Sequence, residues 1–426
     1  MAINTAVILS AGMGIRMRPL TLTRQKVMLP IAGKPLLEYT IASLAENSIK
    51  DLFIVVGYRE EDIKQYFRDG SDYGVNIHYI HQDKQLGSAH AVNLAAPYVK
   101  DKFMMIYGDL LITPKAVKFA VKAYEKNKVT TMSVIPVKNP ELYGVVKLDG
   151  SRVIDIIEKP STGEAPSNLA NAGLYVLTDE IFKAIEKTTP SKRGEFEITD
   201  SLQISLKWGV QVESVTLDSD SWMHIGLPWD LLDANAMILK TIKPKIDGDV
   251  EGGSHIIGSI VLAEGARIRS GAYIDGPAVI GAGSDIGPNC FIRPYTSIGK
   301  DVRVGNACEV KNSIIMDGTQ IAHLSYVGDS IIGTNCNLGA GTITANLRFD
   351  EKNVKVMIKD KLLDSGKRKL GAIIGDNVKT GINVNFMPGV KIEPNSWIGP
   401  GVVVMRDVPQ NSFIILKQEH DERKVQ

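Results

Sequence analysis

The 426-residue sequence has few cysteines and no long hydrophobic run. Its three cysteines, Cys290, Cys308 and Cys336, lack the spacing of a metal site, so we expect reduced core residues of a cytoplasmic protein. No apolar run reaches the roughly 18 residues that span a bilayer, which argues against a membrane protein. The 49 basic and 48 acidic residues nearly cancel, so nucleic-acid binding is not expected as the main function.

Up to about Trp229, short apolar runs alternate with helical stretches. The runs TAVILS, DLFIVVG, IHYIH and KFMMIYGD predict buried strands, and stretches such as PLLEYTIASLAENS predict helices with one apolar face. This alternation favours an α/β domain over residues 1–229, with a mainly parallel sheet and chemistry at the carboxyl ends of its strands. A linking helix is predicted over residues 230–250, ended by Pro244.

From about Ile256 the hydrophobic period changes to six residues, as in IGAGSD, IGPNCF and IGKDVR. A fixed hexapeptide is typical of a parallel β-helix, in which each short strand turns one aliphatic side chain inward. The aliphatic position is almost always filled, which argues against a flexible glycine-rich linker. We therefore predict a β-helix over residues 251–412, followed by a tail over 413–426.

The hexapeptide pattern is interrupted near a histidine. An aliphatic residue or methionine occupies every sixth position from Leu262 to Met316, but the next position holds Ala322 and is followed by His323. The pattern returns out of phase at Ile332. A slip of this kind is expected to force an irregular turn that projects side chains from the wall. An isolated histidine is more often structural than catalytic, so a catalytic role for His323 depends on the residues around it.

The loop after the first predicted strand combines glycines with cations. In LSAGMGIRMRPLTLTRQK, Gly12 and Gly14 precede Arg16, Arg18 and Lys26. Glycines let backbone N–H groups approach a phosphate closely, and fixed cations neutralise its charge. The stretch has neither the ending of a P-loop nor the continuation of a dinucleotide-binding fingerprint. A phosphate site is therefore one interpretation, and a tight strand-to-helix turn is the structural alternative.

The whole stretch resembles the signature of sugar-1-phosphate nucleotidyltransferases, which implies catalytic roles for Arg16 and Lys26. The resemblance continues through HQDKQLGSAHA, YGDLL, LYGVVKLD, IIEKP and NAGLYV. It implies Mg²⁺ at Asp109. The further residues that it implies are nucleotide contacts from Leu9, Ala11, Gly12, Gly14, Gln82, Gly87 and Ser88, and sugar-phosphate contacts from Gly144, Glu158 and Asn171. The family usually has proline immediately before the lysine, where this chain has Gln25.

In that family the sugar-1-phosphate oxygen attacks the α-phosphate of a nucleoside triphosphate, and pyrophosphate leaves. The nucleophile is already anionic, so catalysis needs positioning and charge neutralisation rather than a general base. Relatives often carry a second metal-binding Asp or Asn where this chain has His224. Imidazole suits Mg²⁺ less well than carboxylate does. His224, Asp218 or Asp220 could complete the metal site, Asp109 and the phosphates could suffice, or His224 could pack against Trp222 and Trp229.

The segments around His323 resemble the acetyltransferase half of bifunctional N-acetylglucosamine-1-phosphate uridyltransferase/glucosamine-1-phosphate acetyltransferases, and the loops favour archaeal-type members. In that family His323 would be the general base that deprotonates an amino sugar attacking acetyl-CoA. The resemblance also implies a left-handed β-helix that forms a homotrimer with sites between subunits. The further contacts that it implies are to the sugar phosphate from Arg293, Lys311, Tyr326, Asn337 and Asn346, and to acetyl-CoA from Ala340 and Lys417.

A basic insertion over residues 347–373 departs from the family. We predict a hairpin with LLDSG as its turn. Two interpretations of its basic residues remain open: Lys367, Arg368 and Lys369 either contact phosphate or form a solvated turn.

Together the two resemblances imply an enzyme that acetylates glucosamine-1-phosphate and couples the product to UTP, although dTTP and glucose-1-phosphate could also be used. Its partners would be small molecules and copies of itself. One alternative is a nucleotidyltransferase of the glucose-1-phosphate thymidylyl- or mannose-1-phosphate guanylyltransferase type, with a structural or regulatory β-helix. The residues around His323 argue against it. The other is a non-enzymatic assembly subunit, against which Arg16, Lys26 and Asp109 argue.

Overall fold

The computed structural model describes residues 3–161 and 163–425, which form two units. The first unit takes the chain up to Met13, then Gln25–Met28 and Pro35–Ile225, and the second takes Gly14–Arg24, Leu29–Lys34 and the chain from Gly226. Among the described residues, no helix combines the length and the hydrophobicity needed to cross a membrane.

Helices and strands up to the start of the second unit's solenoid follow the predicted alternation. The helices are α1 (Leu36–Glu46), α2 (Glu60–Phe67), α3 (Ser88–Asn93), α4 (Pro114–Asn127), α5 (Ile181–Glu186), α6 (Ile198–Lys207) and α7 (Asp230–Leu239). The strands are β1 (Thr5–Leu9), β2 (Pro30–Ile31), β3 (Lys34–Pro35), β4 (Asp51–Val56), β5 (Asn76–His81), β6 (Lys102–Tyr107), β7 (Leu110–Ile112), β8 (Thr130–Pro136), β9 (Gly144–Asp149), β10 (Arg152–Glu158), β11 (Leu169–Thr178), β12 (Val212–Thr216) and β13 (Trp222–His224).

The first unit is organised by a nine-stranded sheet in the order β5-β4-β1-β6-β11-β8-β12-β10-β9. Its first four strands are parallel, and alternate residues of β1 enter two apolar clusters: Ala6 and Ile8 enter one, and Val7 enters the other. The expectation of a mainly parallel sheet fails beyond β6, because β11 runs antiparallel to both of its neighbours. Only residues 150 and 151 separate β9 from β10, a connection too short for a parallel crossover.

The second unit is a parallel β-helix with three faces. Strands of face one are Lys245–Ile246, Ile260–Leu262, Ala278–Ile280, Thr296–Ile298, Ile314–Ile315, Ile331–Ile332, Ile373–Ile374 and Lys391–Ile392. Strands of face two are Asp249–Val250, Arg267–Ile268, Asp285–Ile286, Arg303–Asn306, Gln320–His323, Asn337–Leu338, Lys379–Thr380, Trp397–Ile398 and Phe413–Ile414. Strands of face three are His255–Ile257, Tyr273–Asp275, Phe291–Ile292, Glu309–Lys311, Tyr326–Gly328, Ile343–Thr344, Asn385–Phe386 and Val403–Val404.

Aliphatic side chains of all three faces fill the β-helix core, as the hexapeptide predicts, and the three cysteines lie buried and unbridged among them. Burial raises the pKa of the Cys290 and Cys336 thiols to about 12. These thiols are therefore protonated near neutral pH, as expected of core residues without a chemical role.

The predicted position of the phase slip is wrong. Ile321, not Ala322, points into the core, one residue ahead of the six-residue pattern. The repeat has already shortened to five residues between Val310 and Ile315, and it shortens again between Val327 and Ile332. The wall carrying His323 is thus regular, and the irregularity lies at the corners before and after it.

A buried serine lies at each of the two short corners. Ser313 Oγ donates to the Lys311 carbonyl at 2.7 Å and accepts from the Ser330 N–H at 3.1 Å. Ser330 Oγ donates in the same way to the Gly328 carbonyl at 2.7 Å. These hydroxyls satisfy backbone groups at a corner with one residue fewer.

The linking helix is shorter than predicted, because α7 ends at Leu239 and strands of the β-helix begin at Lys245. The helix also belongs to the second unit. Asn235, which is fully buried, donates to the Tyr295 carbonyl at 2.9 Å and accepts from the Ala32 N–H at 2.8 Å. This buried amide fixes α7 against the β-helix rather than leaving it as a spacer.

The assignment of residues 1–229 to one domain also needs correction. Arg24 and Thr23 belong to the second unit, where Arg24 forms an ion pair with Asp376 at 2.6 Å and donates to Thr334 at 2.6 Å. Thr23 donates to the same carboxylate at 2.8 Å. These contacts join residues more than 300 positions apart, which no local pattern reveals.

Candidate active sites

The Gly-rich loop leaves β1 after Leu9, and its backbone donors are unused. The N–H groups of Ala11, Gly12 and Met13 donate to no group in the part of the chain that the structure describes. The Ala11 carbonyl, in contrast, accepts from the Tyr58 N–H at 3.1 Å and from Gln85 Nε2 at 2.7 Å. A loop with occupied carbonyls and unused N–H groups is suited to bind an anion.

Lys26 and Asp109 form an ion pair in the first unit. Lys26 is 8% exposed, and its Nζ lies 2.7 Å from Asp109 Oδ2. Burial alone would raise the pKa of Asp109, but Lys26 and then His224 outweigh it and hold this pKa well below its usual range. Asp109 is therefore a carboxylate at every pH at which the protein is expected to work.

Of the residues considered as a second metal ligand, His224 is the one that lies beside Asp109. The pairing of β13 with β7 sets His224 opposite Leu110, and His224 Nε2 lies 3.5 Å from Asp109 Oδ2. The imidazole packs edge-on against the Tyr143 ring, with centroids 6.0 Å apart. The alternative in which His224 packs against Trp222 and Trp229 is not supported by this arrangement.

Asp218 and Asp220 lie towards the other end of β7. The Thr113 N–H, beyond the far end of β7, donates to the Ser221 carbonyl at 3.0 Å. Asp218 and Asp220 form ion pairs with Lys115 there, at 2.7 and 3.4 Å. The alternative in which one of them completes the metal site is not supported by this arrangement.

The side chains around Asp109 suit a magnesium ion most of whose ligands are water and phosphate oxygens. Among the described residues, no group of three or more His, Cys, Asp or Glu side chains could enclose a metal. Mg²⁺ in phosphoryl-transfer sites is held by one or two carboxylates together with substrate phosphates. Asp109, with a side chain 28% exposed, fits that requirement.

The predicted nucleobase contacts lie on a loop held by a segment that the sequence analysis did not identify. Gly87 has φ +114° and packs so closely that a Cβ would meet the Phe196 carbonyl at 2.5 Å. Ser88 Oγ accepts from the Ile198 N–H at 2.9 Å. Gln82 is buried, and its Nε2 lies 2.8 Å from His90 Nδ1.

The three predicted sugar contacts of the first unit come together. A Cβ on Gly144 would lie 2.7 Å from Glu158 Oε2 and 3.7 Å from the Asn171 Cβ. Thr199 Oγ1 donates to Glu158 Oε2 at 3.1 Å. Glycine is therefore needed at 144 to keep this carboxylate in place.

Two further charged residues beside Glu158 were missed from the sequence. Arg193 contacts Glu158 at 3.3 Å and also bonds the buried Glu197. Burial raises the pKa of Glu197 to about 7; Arg193 opposes the shift, and Glu158 and Glu195 add to it. The segment SKRGEFE carries the only visible signal, a cation four positions before a carboxylate, which is too common to identify a site.

Arg16 and Gly14 fall in the segment grouped with the second unit. Gly14 adopts a left-handed conformation with φ 59°, and Arg16 is exposed. The Arg16 guanidinium has no ion-pair partner among residues 3–161 and 163–425.

In the second unit, four predicted residues gather around a buried aspartate that the sequence analysis missed. Asp329 is 4% exposed and lies 3.0 Å from Lys311 Nζ. It accepts from Asn346, whose amide also donates to the Tyr326 hydroxyl at 3.1 Å. Arg293 is close to this group and pairs with Glu309 at 2.8 Å. The cluster thus combines two cations, a phenol and an amide.

His323, Asn337 and Ala340 lie along face two and its end, separate from that cluster. His323 ends its strand in register with Asn306 and is exposed. Its ring bonds to no residue in the described ranges. Asn337 is exposed in the next coil, and Lys417 is exposed after the last strand. Within one chain, His323 and the Asp329 cluster therefore lie at the two ends of the face-three strand Tyr326–Gly328.

The basic insertion is a hairpin, but its turn is not at LLDSG. Strands Lys355–Ile358 and Lys361–Asp364 pair antiparallel, and the turn is Lys359–Asp360 with φ 47° and 60°. Two positive φ values in a two-residue loop match the right-handed twist of the strands, which fixes the turn there.

Of the three basic residues considered as phosphate contacts, two are paired within the chain. Lys367 forms an ion pair with Asp233 and Arg368 forms one with Glu351. Lys369 forms a backbone bridge with Leu347. These pairs favour a structural role for the insertion over a phosphate site.

Comparison with protein families identifies three segments. Residues 5–241 match the nucleotidyl transferase family, which is more than half of the chain, residues 274–385 match the GMPPB C-terminal domain, and residues 371–406 match the bacterial transferase hexapeptide repeats. The β-helix is accordingly the left-handed type.

Curated relatives match both halves at once. A protein of Methanococcus maripaludis strain C7 named bifunctional protein GlmU is 50% identical over 97% of this chain and 98% of its own length. A bifunctional sugar-1-phosphate nucleotidylyltransferase/acetyltransferase of Sulfurisphaera tokodaii is 42% identical over 96% and 99%. Among solved structures, UDP-glucose pyrophosphorylase in complex with UDP-glucose matches 56% of this chain and 100% of its own, with 27% identity and a TM-score of 0.52.

Proposed function

The chain belongs to the family of bifunctional nucleotidyltransferase/acetyltransferases, and we propose that it acetylates glucosamine-1-phosphate with acetyl-CoA and couples the product to UTP. The products are UDP-N-acetylglucosamine and pyrophosphate. The observation that carries the proposal is that a relative named bifunctional protein GlmU, and one whose name prints both nucleotidylyltransferase and acetyltransferase, align over both units.

Nucleotidyl transfer would occur by charge neutralisation and alignment. The backbone N–H groups of Ala11–Met13 would bind the triphosphate, and Lys26 and Arg16 would offset charge on the α-phosphate as the sugar phosphate oxygen attacks it. Asp109 would hold Mg²⁺, which when bound neutralises the triphosphate and its leaving group. Glu158 and Asn171 would orient the sugar.

Acetyl transfer would occur on the β-helix with His323 as general base. Its neutral imidazole would take the proton from the 2-amino group as nitrogen forms its bond to the acetyl carbon, and the coenzyme A thiolate would leave and take up a proton. Direct transfer is supported because the three cysteine thiols are buried and protonated. Arg293 and Lys311 would bind the sugar phosphate, Tyr326, Asn337 and Asn346 would orient the sugar, and Ala340 and Lys417 would contact acetyl-CoA.

We further propose that the protein is a cytoplasmic homotrimer whose acetyl-transfer sites lie between subunits. In one chain the base and the phosphate-binding cations lie at opposite ends of a face-three strand. A neighbouring copy would complete the site by bringing its cations to this histidine. The unpaired exposed imidazole of His323 supports such an arrangement, because a structural histidine would normally have a partner.

The test is to incubate the pure protein with glucosamine-1-phosphate, acetyl-CoA, UTP and Mg²⁺ and to identify products by mass spectrometry. Release of free thiol without UTP measures acetyl transfer, and release of pyrophosphate from UTP and N-acetylglucosamine-1-phosphate measures nucleotidyl transfer. Parallel reactions with dTTP and GTP test the nucleotide. Absence of thiol release would leave a single-activity nucleotidyltransferase, and absence of pyrophosphate would remove the other half.

A further inference from the structure

Gln25, the residue before Lys26, has a fully enclosed and fully bonded amide. It is 1% exposed, and its Nε2 donates to the Ser10 carbonyl at 2.6 Å and to the Gly12 carbonyl at 3.2 Å. Its Oε1 accepts from the Val27 N–H at 2.6 Å. Its own backbone N–H donates to Asp62 Oδ2 at 2.9 Å. Four such bonds on one buried residue indicate a fixed position rather than filling of space.

In the Gly-rich loop, these bonds occupy backbone carbonyl groups. Gln25 occupies the carbonyls of Ser10 and Gly12, and Tyr58 and Gln85 occupy the carbonyl between them. Three successive carbonyls are thus occupied by hydrogen bonds within the protein. The N–H groups of the loop are left as donors for an anion, which is the arrangement that a phosphate needs.

On the lysine side, the same amide holds the short segment that carries Lys26. The bond from Val27 N–H to Gln25 Oε1 fixes the start of the turn Lys26–Met28, and Lys26 Nζ reaches Asp109 from there. One side chain therefore sets the distance between the anion-binding loop and the cation. A proline here would supply neither the amide bonds nor the backbone N–H that reaches Asp62.

We propose that Gln25 is a positioning residue for nucleotidyl transfer, holding the Gly-rich loop and Lys26 in one geometry. This inference rests on the proposed nucleotidyl transfer in the first unit. It predicts that Gln25 affects the triphosphate and the chemical step, and not the binding of the sugar phosphate.

The test compares Gln25→Met, which keeps the length of the side chain and removes its hydrogen bonds, with Gln25→Glu. The glutamate keeps the acceptor for Val27 but points a second oxygen at the two loop carbonyls. Because displacements of about 1 Å in an active site cost up to roughly 10²-fold in rate, we expect kcat for pyrophosphate release to fall by roughly 10- to 100-fold in Gln25→Met and further in Gln25→Glu. The KM for the triphosphate should rise and the KM for the sugar phosphate should stay unchanged.

A matched control is Gln203→Met, in the same unit. The Gln203 amide donates to Asp155 at 3.0 Å and accepts from the Ile156 N–H at 3.0 Å, so the control removes two side-chain hydrogen bonds away from the loop, whereas Gln25→Met removes three. Acetyl transfer serves as a second control for folding. Failure of the proposed function would appear as inactive wild-type protein, which separates it from failure of this inference.

Hydrogen exchange of residues 11–13 supplies a readout that does not depend on turnover. A non-hydrolysable nucleoside triphosphate should protect these amides in wild type and in Gln203→Met, and much less in Gln25→Met. The proposal is overturned if Gln25→Met keeps wild-type protection and a kcat within twofold, or if Gln203→Met lowers kcat equally.

Discussion

Replacement of Lys26 by methionine is the sharpest perturbation of the first unit. Methionine keeps much of the apolar stem in a site that is 8% exposed, but it removes the ammonium group 2.7 Å from Asp109 Oδ2. Loss of one electrostatic group at a reacting centre costs about 2.7–4 kcal/mol of barrier, which is roughly 10²–10³ in kcat. We expect nucleotidyl transfer to fall by this amount.

The same variant should lose some stability. Among the described residues, the Asp109 carboxylate would keep only His224 as a neighbour, 3.5 Å away, but its side chain is 28% exposed, so water can partly replace the lysine. A loss of about 1–3 kcal/mol in the free energy of unfolding at pH 7 is expected. Because the pKa of Asp109 is depressed in the folded protein, this stabilisation is present above the ordinary value of about 4 and lost as pH falls through the depressed value. The difference from wild type should therefore shrink below roughly pH 4.

The assay measures pyrophosphate release and thiol release on the same preparations, with unfolding followed in urea at pH 7 and near pH 3. Thiol release should stay at the wild-type rate, because Lys26 lies in the other unit from the acetyl-transfer residues. A decrease in kcat of less than about fivefold, or equal decreases in both reactions, would refute the electrostatic role.

Three further outcomes are expected. The pKa of the Glu197 carboxyl is raised to about 7 in the folded protein. Its contribution to the free energy of unfolding is therefore complete below its unfolded pKa near 4.3 and is lost as pH rises through 7. In Glu197→Gln, the free energy of unfolding measured between pH 4.5 and 8 should decrease less with pH than in wild type. Gly305→Ala would place a Cβ 1.9 Å from the Ala322 carbonyl, so acetyl transfer should fall roughly 10²-fold, while Gly252→Ala, which meets nothing within 4 Å, should leave it unchanged. The cysteines should resist a thiol reagent in the native protein and react in urea, and fast labelling of the native protein would contradict their burial.

Local pattern predicted those parts of the fold that depend on side chains near each other in sequence. The buried strand β1 was predicted from a short apolar run, and the inward aliphatic residues of the β-helix were predicted from the six-residue period. The five-residue corners were not predicted. Met316 and Ala322 are apolar and continue the six-residue spacing, but the residues that point into the core are their neighbours Ile315 and Ile321. Hydrophobicity alone does not distinguish neighbouring apolar positions when the backbone shortens by one residue.

Residues of the candidate sites were predictable where a single sequence motif contains them. Lys26 and Asp109 follow from the family resemblance, and their contact is seen only in the fold. Asp329 was missed because its partners are Lys311, 18 positions earlier, and Asn346, 17 positions later, in adjacent coils. A coil of the β-helix is the unit that brings them together, and the sequence shows its length only where the repeat is unbroken.

The central claim is that one chain carries two separate active sites, and paired variants test it most directly. His323→Ala and Lys26→Met are each given glucosamine-1-phosphate, acetyl-CoA, UTP and Mg²⁺, alone and mixed. We predict that Lys26→Met releases thiol and accumulates N-acetylglucosamine-1-phosphate, that His323→Ala makes the UDP-sugar only when given that intermediate, and that the mixture restores UDP-N-acetylglucosamine. Loss of both reactions in folded His323→Ala, or a mixture that makes no UDP-sugar, would contradict the account.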